Sequence, residues 1–347
     1  MSRIEKLQEL LVRLNSEGII ITSYPNIFYF SSFTSEDCIL YITQNDAYLI
    51  TDSRYTLQAK KQAKNFKVII RKSSYGSQLT KLISNGNVLF EEAISYSDYQ
   101  SFSKLINAQL TSINIDFLRN VKDQSEINNI KKATKIADKC YKHILKFIKP
   151  GMKETTVANE MIRYMKELGA TKESFETIVA SGKRGALPHG VASNKVIKKG
   201  EFITLDFGCV YKGYCSDITR SFMVGHASKE MKRIYNIVKQ AQMRAIKSIK
   251  EGIKASEVDK VARDYIESRG YGKYFTHSTG HGLGIVVHDP ISVSKFSDTI
   301  LEENMIITVE PGVYIPGVGG IRIEDDVLVK KDGYEVLTKA TKKLMTI

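Results

Sequence analysis

The chain has 347 residues, which at about 150 residues per domain predicts two domains and excludes a peptide or a minimal module. Hydrophobic residues make up 42% and charged residues 26%, as in an ordinary globular protein, and no apolar run approaches the roughly 20 residues that span a bilayer. The formal charge of +13 leaves nucleic acid, an anionic membrane surface and acidic substrates as candidate partners.

The positive charge is unevenly distributed. Residues 1–118 carry 12 Lys and Arg against 11 Asp and Glu, whereas residues 119–347 carry 39 against 27. The first 18 residues lack the apolar stretch and cleavage site of a secretory signal. The four cysteines follow neither a disulfide framework nor the spacing of a zinc site. We therefore expect a soluble, cytoplasmic protein without a membrane partner.

The first 118 residues alternate between helical and strand-like patterns. In chain order we predict a helix over 4–17, a strand over 19–22, a hairpin over 38–43 and 47–51, a helix over 53–64, strands over 67–70 and 88–90, a helix over 95–108 and a strand over 112–115. This alternation predicts a small α/β domain.

The pattern changes to longer helices near residue 120, which divides the chain into predicted domains 1–120 and 121–347. A long helix begins at about residue 122 and stops before Pro150, and its many lysines are interpreted as a solvated face rather than a nucleic-acid patch. The other predicted elements are helices over 155–168, 228–250 and 255–268 and strands over 202–207, 217–224, 305–310 and 326–329. This second domain is predicted to be α+β.

Two aspartates stand on neighbouring predicted strands of the second domain. If Tyr211, Lys212 and Gly213 form a hairpin turn, Asp206 and Asp217 face each other across the hairpin. Directly opposed carboxylates repel each other, so a shared proton or a bound cation must compensate. The alternative is a different register, with two ordinary surface aspartates.

Three of the six histidines of the chain fall within twelve residues, at His277, His281 and His288. The first two have the spacing of a zinc pair on a helix, but Gly280, Gly282 and Gly284 argue against a helix there. We expect an extended backbone with close approaches. Clustering of histidines beside glycines indicates a functional site rather than three separate structural residues.

Two glutamates complete a candidate metal site. Glu310 ends a hydrophobic strand pattern before a Pro-Gly turn, and Glu324 begins the next strand pattern. Together with Asp206 and Asp217 they give four carboxylates beside the histidines. An oxygen-rich set of this kind favours Mn²⁺, with Co²⁺, Fe²⁺ or Zn²⁺ as alternatives. Two such ions suit hydrolysis, because they acidify a water molecule and polarise a scissile carbonyl.

These residues resemble the metal ligands of a known family, the pita-bread metallopeptidases, which include methionine aminopeptidase, aminopeptidase P and prolidase. Runs that resemble the Xaa-Pro branch of the family are SGKRGALPHG at 181–190, DITR at 217–220, the histidine segment 277–290 and EPGVY at 310–314. Runs that resemble its creatinase-like N-terminal domain are PNIFY at 25–29 and DSRY at 52–55. The resemblance implies an α/β N-terminal domain followed by an α+β pita-bread catalytic domain.

The resemblance also implies which residues hold two divalent metal ions. Asp206 would be a terminal ligand of one ion. His281 and Glu310 would be terminal ligands of the other ion. Asp217 and Glu324 would bridge both.

Further residues match catalytic and substrate-binding positions of the family. His288 matches the histidine that stabilises the carbonyl oxygen, and Glu310 matches the proton shuttle. His189 matches a residue near the scissile amide, and His277 one that lines the proline pocket. Arg322 would lie near the leaving side and meet a substrate carboxylate.

The implied activity is hydrolysis of the peptide bond before proline, most closely as in bacterial Xaa-Pro dipeptidases. Aminopeptidase P activity on longer peptides is the alternative within the family. Metal-free hydrolysis of the creatinase type and a non-catalytic binding protein are alternatives on the same fold. The resemblance further implies a homodimer and no nucleic-acid partner. One departure is Asp289, where the family usually has glutamate, which puts the orientation of His288 in question.

Overall fold

A computed structural model describes residues 1–226 and 228–347. The chain forms two compact units, Met1–Leu118 and Arg119–Ile347. No helix among the described residues is both long and apolar enough to cross a bilayer.

The first unit is an α/β domain built on a six-stranded mixed sheet with strand order β4-β3-β2-β1-β5-β6. Its strands are β1 Gly18–Ile21, β2 Cys38–Thr43, β3 Ala47–Thr51, β4 Lys67–Ile70, β5 Asn87–Glu91 and β6 Gln109–Ile113. Its helices are α1 Arg3–Arg13, α2 Tyr24–Ser31, α3 Thr56–Gln62, α4 Tyr75–Leu79 and α5 Tyr96–Leu105. The predicted fold class of this unit is confirmed, as are the bounds of β2, β3 and β4.

Several predicted element ends in this unit were wrong, among them the end of the predicted helix 95–108, which stops at Leu105, and two whose cause the structure shows. The first helix ends at Arg13 rather than residue 17, because Asn15 turns the chain with a positive φ of 49°. The last strand runs over Gln109–Ile113 instead of 112–115, since Gln109 pairs with Asn87 in the parallel ladder to β5. Helices α2 and α4 were not predicted.

The second unit contains four long helices among its described residues, at the predicted positions. They are α6 Gln124–Phe147, α7 Glu154–Glu167, α8 Lys229–Ser248 and α9 Ala255–Ser268. Asp123 and Glu126 form a capping box that fixes the start of α6. The strands are β7 Lys172–Glu173, β8 Ile178–Ser181, β9 Phe202–Phe207, β10 Cys209–Tyr211, β11 Tyr214–Cys215, β12 Ile218–Met223, β13 Gly280–Gly282, β14 Asp289–Val293, β15 Ile306–Val309, β16 Gly312–Ile315, β17 Gly319–Arg322, β18 Asp325–Lys330 and β19 Gly333–Val336. The α+β prediction is confirmed.

The strands of the second unit form several small sheets that pack on the two helix pairs. One sheet has the order β12-β9-β8, and another the order β14-β13-β15-β18-β19. One hydrophobic core joins α6 and α7 to side chains such as Leu205 of β9. A second core joins α8 and α9 to side chains such as Val309 of β15 and Val327 of β18. Strands β7, β8, β13, β14, β16, β17 and β19 were not predicted.

The predicted register of the aspartate hairpin was wrong by two residues. Asp206 lies opposite Thr219, and Ile218 opposite Phe207. One residue of this difference comes from the turn, which uses only Lys212 and Gly213, with positive φ values of 49° and 84°, rather than three residues. Continued along the hairpin, this register places Asp217 opposite Gly208, two pairs on from Asp206, so that the two aspartates are diagonal neighbours on the same face.

Candidate functional site

Strand alternation directs the predicted ligands to one face of the second unit. Ile203, Leu205 and Phe207 of β9 belong to the hydrophobic core, so Asp206 faces the opposite side. Glu310 directly follows β15, and Glu324 directly precedes β18. The same alternation therefore places the carboxylates away from the helices.

All of the predicted site residues line one cavity of about 670 Å³. They are Asp206, Asp217, His281, Glu310, Glu324, His189, His277, His288 and Arg322. Apolar side chains supply much of the remaining wall, namely Phe175, Ile178, Val191, Val287 and Ile291. The cavity thus combines a cluster of carboxylates and imidazoles with an apolar wall, as small-molecule sites commonly do.

His281 is oriented with one ring nitrogen towards the carboxylates. Its Nδ1 lies 3.0 Å from the Gly282 carbonyl oxygen, which can only accept, so Nδ1 carries the hydrogen. Its Nε2 lies 3.3 Å from Glu310 Oε1 and 3.6 Å from Asp217 Oδ2. A backbone carbonyl that fixes the tautomer of an imidazole in this way is typical of metal-ligating histidines.

Glu310 and His281 stabilise each other's charged forms. Burial alone would raise the pKa of Glu310, but its hydrogen bond to His281 and the charges of His277 and Arg322 bring that pKa to about 2. Burial lowers the pKa of His281, yet the bond to Glu310 raises it above the usual value overall. Glu310 is therefore ionised at neutral pH.

Asp217 and Glu324 are in the opposite situation. Burial, followed by the repulsion of neighbouring carboxylates, raises the pKa of both groups well above their usual values. The ligand atoms of Asp217, His281 and Glu324 all lie within 4.8 Å of one another. Carboxylates this close and this buried are costly unless a proton or a cation compensates.

Several carboxylate oxygens at the site or next to it lack any hydrogen-bond partner within residues 1–226 and 228–347. They are Asp206 Oδ1, Asp217 Oδ1, Glu324 Oε1 and Asp326 Oδ1, all of them buried. Most buried polar atoms in folded proteins are paired, so such a group of orphaned oxygens requires an explanation. The residues present fit a divalent cation, because Asp217 and Glu324, two of the residues with an orphaned oxygen, have ligand atoms within 4.8 Å of each other and of a ring nitrogen of His281.

Metal binding to this site should release protons. The raised pKa values of Asp206, Asp217 and Glu324 mean that these carboxyl groups hold protons to a higher pH than usual, whereas a cation needs them ionised. We expect the apparent affinity for Mn²⁺ to increase as the pH rises from 5.5 to 8. Calorimetric titration in two buffers of different ionisation enthalpy measures the protons released. An affinity that stays flat across this range would contradict the expectation.

Arg322 is surrounded by acceptors of the protein itself. Its guanidinium donates to Asp206 Oδ2, to the Tyr314 hydroxyl at 2.6 Å and to Thr219 Oγ1 at 3.1 Å. A further donor reaches the Pro188 carbonyl oxygen at 3.1 Å. The fork predicted to meet a substrate carboxylate is therefore engaged by the protein, and such a contact would require one of these bonds to exchange.

The remaining predicted histidines lie around the rim of the carboxylate cluster. His277 donates from Nδ1 to the Ser278 carbonyl oxygen at 2.7 Å, so its Nε2 accepts from the Tyr314 hydroxyl at 2.9 Å. The ring of His288 packs edge-on against that of His281, with centroids 4.2 Å apart. Burial lowers the pKa of His288, and the neighbouring His281 lowers it further. His288 is therefore neutral near pH 7 and able to donate one N–H.

Sequence reasoning assigned no role to several residues that hold the site together. Thr219 donates to Glu324 Oε2 at 2.7 Å, and Asp326 accepts from the backbone N–H of Asp217. Glu154, which is fully buried, accepts from Ser181 and Ser193 at the two ends of the segment that carries His189. Thr219 and Asp326 lie beside predicted ligands in the sequence, but Glu154 stands on a distant helix with no sequence signal.

Both units match known families. Residues 128–331 match Metallopeptidase family M24, and residues 3–121 match the Creatinase/Prolidase N-terminal domain. The predicted combination of a creatinase-like N-terminal domain and a metallopeptidase catalytic domain is thereby confirmed.

Relatives of known structure and name cover the whole chain. The chain is 44% identical to a Xaa-Pro dipeptidase from Bacillus anthracis, with a TM-score of 0.96 and 99% of each chain covered. It is 38% identical to an X-Pro aminopeptidase from Thermotoga maritima, with a TM-score of 0.92 and 100% of each chain covered. It is 36% identical to the Xaa-Pro dipeptidase of Pyrococcus horikoshii, over 99% of this chain and 98% of that protein. The chain therefore belongs to metallopeptidase family M24.

Proposed function

We propose that this protein is a dinuclear metal-dependent peptidase that hydrolyses the bond before proline, with Xaa-Pro dipeptides as its main substrates. The observation that carries the proposal is the set of buried carboxylate oxygens of Asp206, Asp217 and Glu324 that have no hydrogen-bond partner among the described residues, in a partly apolar cavity that His281 also lines. Relatives named Xaa-Pro dipeptidase support the substrate class. The tertiary amide of an Xaa-Pro bond requires a dedicated site, because it lacks an N–H and restricts the backbone.

In this proposal Asp206, Asp217, His281, Glu310 and Glu324 hold the ions. Bound divalent ions would acidify a water molecule and polarise the scissile carbonyl. Asp206 is kept in place by Arg322, and Glu324 by Thr219. The backbone of the strands fixes the direction in which the other proposed ligands point. The site is therefore organised before substrate binds.

The proton steps fall to Glu310 and His288. Glu310 is ionised at neutral pH and accepts the proton released when water attacks. It then delivers the proton to the proline nitrogen, which must be protonated to leave as an amine. His288, as a neutral imidazole, donates a hydrogen bond to the carbonyl oxygen as negative charge develops there. His189 and His277 flank the substrate from either side.

Substrate length separates the two peptidase activities. We expect Ala-Pro to be cleaved with a higher kcat/KM than Ala-Pro-Ala-Ala, because a dipeptide leaves no chain to be accommodated beyond proline. Both peptides are incubated with Mn²⁺-loaded enzyme. Chromatography then measures the rates at which free proline and Pro-Ala-Ala are released. Faster cleavage of the tetrapeptide would contradict the dipeptidase assignment and favour aminopeptidase P activity.

Aminopeptidase P activity remains the second candidate, on a specific observation. Among the described residues that line the cavity, Arg322 is the one arginine and there is no lysine. The N–H donors of Arg322 already have partners in the protein. A dipeptide places its terminal carboxylate beside the scissile bond and needs a cation there, whereas a longer peptide does not. The relative from Thermotoga maritima carries the name X-Pro aminopeptidase.

The proposal includes Mn²⁺ as the physiological metal, a homodimer, a cytoplasmic location and independent domains 1–120 and 121–347. Metal analysis of purified protein and light scattering measure the first two of these. A metal-free hydrolase of the creatinase type and a non-catalytic binding protein are less well supported, because every predicted ligand position retains a side chain able to bind metal.

A further inference from the structure

A buried cluster of two cations and one carboxylate lies beside the histidine loop of the cavity. Asp289 directly follows His288 and is the first residue of β14. Lys122 Nζ lies 2.9 Å from Asp289 Oδ2, and Arg119 Nε lies 3.3 Å from Oδ1. The three side chains are at most 4% exposed. Asp289 was noted above only as a departure from the usual glutamate, and no role assigned above uses Arg119 or Lys122.

Lys122 is anchored on its other sides as well. Its Nζ donates to the Arg119 carbonyl oxygen at 2.7 Å. Its backbone N–H donates to the Asn304 carbonyl oxygen at 3.0 Å, and the neighbouring Val121 bridges to Met305. Met305 immediately precedes β15, the strand that leads to Glu310. The ammonium group is therefore fixed relative to a strand that carries a proposed ligand.

The backbone of the histidine loop packs directly on this cluster. A Cβ atom at Gly284 would lie 2.0 Å from Asp289 Oδ2 and 3.1 Å from Lys122 Nζ, so only glycine fits there. The Gly284 carbonyl oxygen accepts from the backbone N–H of Cys215 at 2.8 Å. The loop is thus held between the ion cluster and the hairpin segment that leads to Asp217.

His288 depends on this backbone for its position. Within residues 1–226 and 228–347, its ring has no hydrogen-bond partner, and it packs against the ring of His281. Asp289 is tied on one side to the cations and on the other to Gly282 across the β13–β14 pair. Asp289, the next residue along the chain, is therefore held by contacts that also fix the backbone at His288.

Stability alone does not account for the cluster. Buried ion pairs contribute little to stability relative to well-packed apolar residues of similar volume. We propose that Arg119, Lys122 and Asp289 are positioning residues that fix the His288 ring over the proposed metal ligands. The catalytic consequence rests on the proposed function, but the position of the ring does not.

The position of His288 can be measured without any activity. Lys122→Met keeps most of the length of the side chain, removes its charge and leaves Arg119 in place beside Asp289. Lys131→Met is the matched control. Lys131 lies on α6, is partly exposed and pairs with Glu335 of β19 at 2.8 Å. The readout is the Cε1–Hε1 NMR cross-peak of His288, assigned with a His288→Gln variant, in metal-free and Zn²⁺-loaded protein. Asp289→Glu, which keeps the charge, is the second variant should Lys122→Met fail to fold.

We expect Lys122→Met and Asp289→Glu to shift or broaden the His288 cross-peak and to leave that of His143, which stacks on Tyr164, unchanged. The control should change neither. In the active enzyme, Lys122→Met should lower kcat on the order of tenfold to a hundredfold with little change in KM. It should have no further effect in a His288→Ala background.

If the wild-type protein cleaves no Xaa-Pro peptide, the proposed function is wrong. The NMR comparison then still tests whether the Asp289 cluster positions His288. An unchanged His288 cross-peak in both variants would overturn the positioning role. So would an equal loss of kcat in the presence and absence of the His288 side chain.

Discussion

Replacing Asp217 with asparagine is expected to abolish metal-dependent activity while leaving the metal-free protein at least as stable as the wild type. In the absence of metal, burial and the neighbouring carboxylates raise the pKa of Asp217, so its ionised form destabilises the fold. The substitution removes that charge and a proposed bridging ligand together. Activity should fall by more than the roughly 100-fold that loss of an outer-shell partner costs.

The sign of the pH dependence follows from the same group. A carboxyl group with a raised pKa favours the fold at low pH and disfavours it once it ionises, so the stability advantage of Asp217→Asn should grow towards pH 8. Mn²⁺ should then raise the melting temperature of the wild type much more than that of the variant. Asp264→Asn, which alters an exposed pair with Lys260 on α9, is the matched control. A metal-free variant less stable than the metal-free wild type at pH 8 would contradict the expectation.

Replacing Arg220 with methionine is expected to give the largest loss of stability. Arg220 is fully buried and donates to Asp325 Oδ1 at 2.6 Å, to the Ala340 carbonyl oxygen at 2.8 Å and to the Glu324 carbonyl oxygen. Removal of one partner of a buried ion pair costs about 3–5 kcal/mol. Here Asp325 would lose a cation while keeping Lys342, and the buried carbonyl oxygens of Glu324 and Ala340 would lose a donor. Urea unfolding of the metal-free protein measures this loss of stability.

Arg163→Met is the matched control for that loss. Arg163 pairs with Glu160 and Glu167 on the surface of α7, where solvent screens the charges, and its replacement should change the unfolding midpoint far less. Arg220→Met should also reduce activity, because Arg220 holds the backbone of Glu324. Equal midpoints for the two variants would show that the Arg220 network does not support the fold.

The helices and the main strands were predictable because their local patterns match their burial. The face of α6 formed by Ile127, Ile130 and Ala137 is buried, as its periodicity indicates. Strands such as β13 and β16 were not predictable, since they are short, contain glycine and are stabilised by partners elsewhere in the chain. The local sequence patterns therefore predicted the long helices and main strands but not these short strands.

The candidate site was predictable from residue types and resemblance more than from geometry. Strand alternation correctly implied that Asp206 and Asp217 share a face, but the two-residue turn at Lys212 and Gly213 changed which residues face each other. The engagement of Arg322 by Tyr314 depends on a contact between strands that no local pattern encodes. The same holds for Glu154 and for the cluster around Asp289.

The most direct test of the account is metal add-back to chelator-stripped protein with Ala-Pro as substrate. Stripped wild-type enzyme should release no proline, and titration with Mn²⁺ should restore proline release up to a plateau near two ions per chain. Asp217→Asn should stay inactive throughout. Undiminished proline release by the stripped enzyme, or full activity of Asp217→Asn, would contradict the central claim that this carboxylate and imidazole cluster works as a dinuclear metal site.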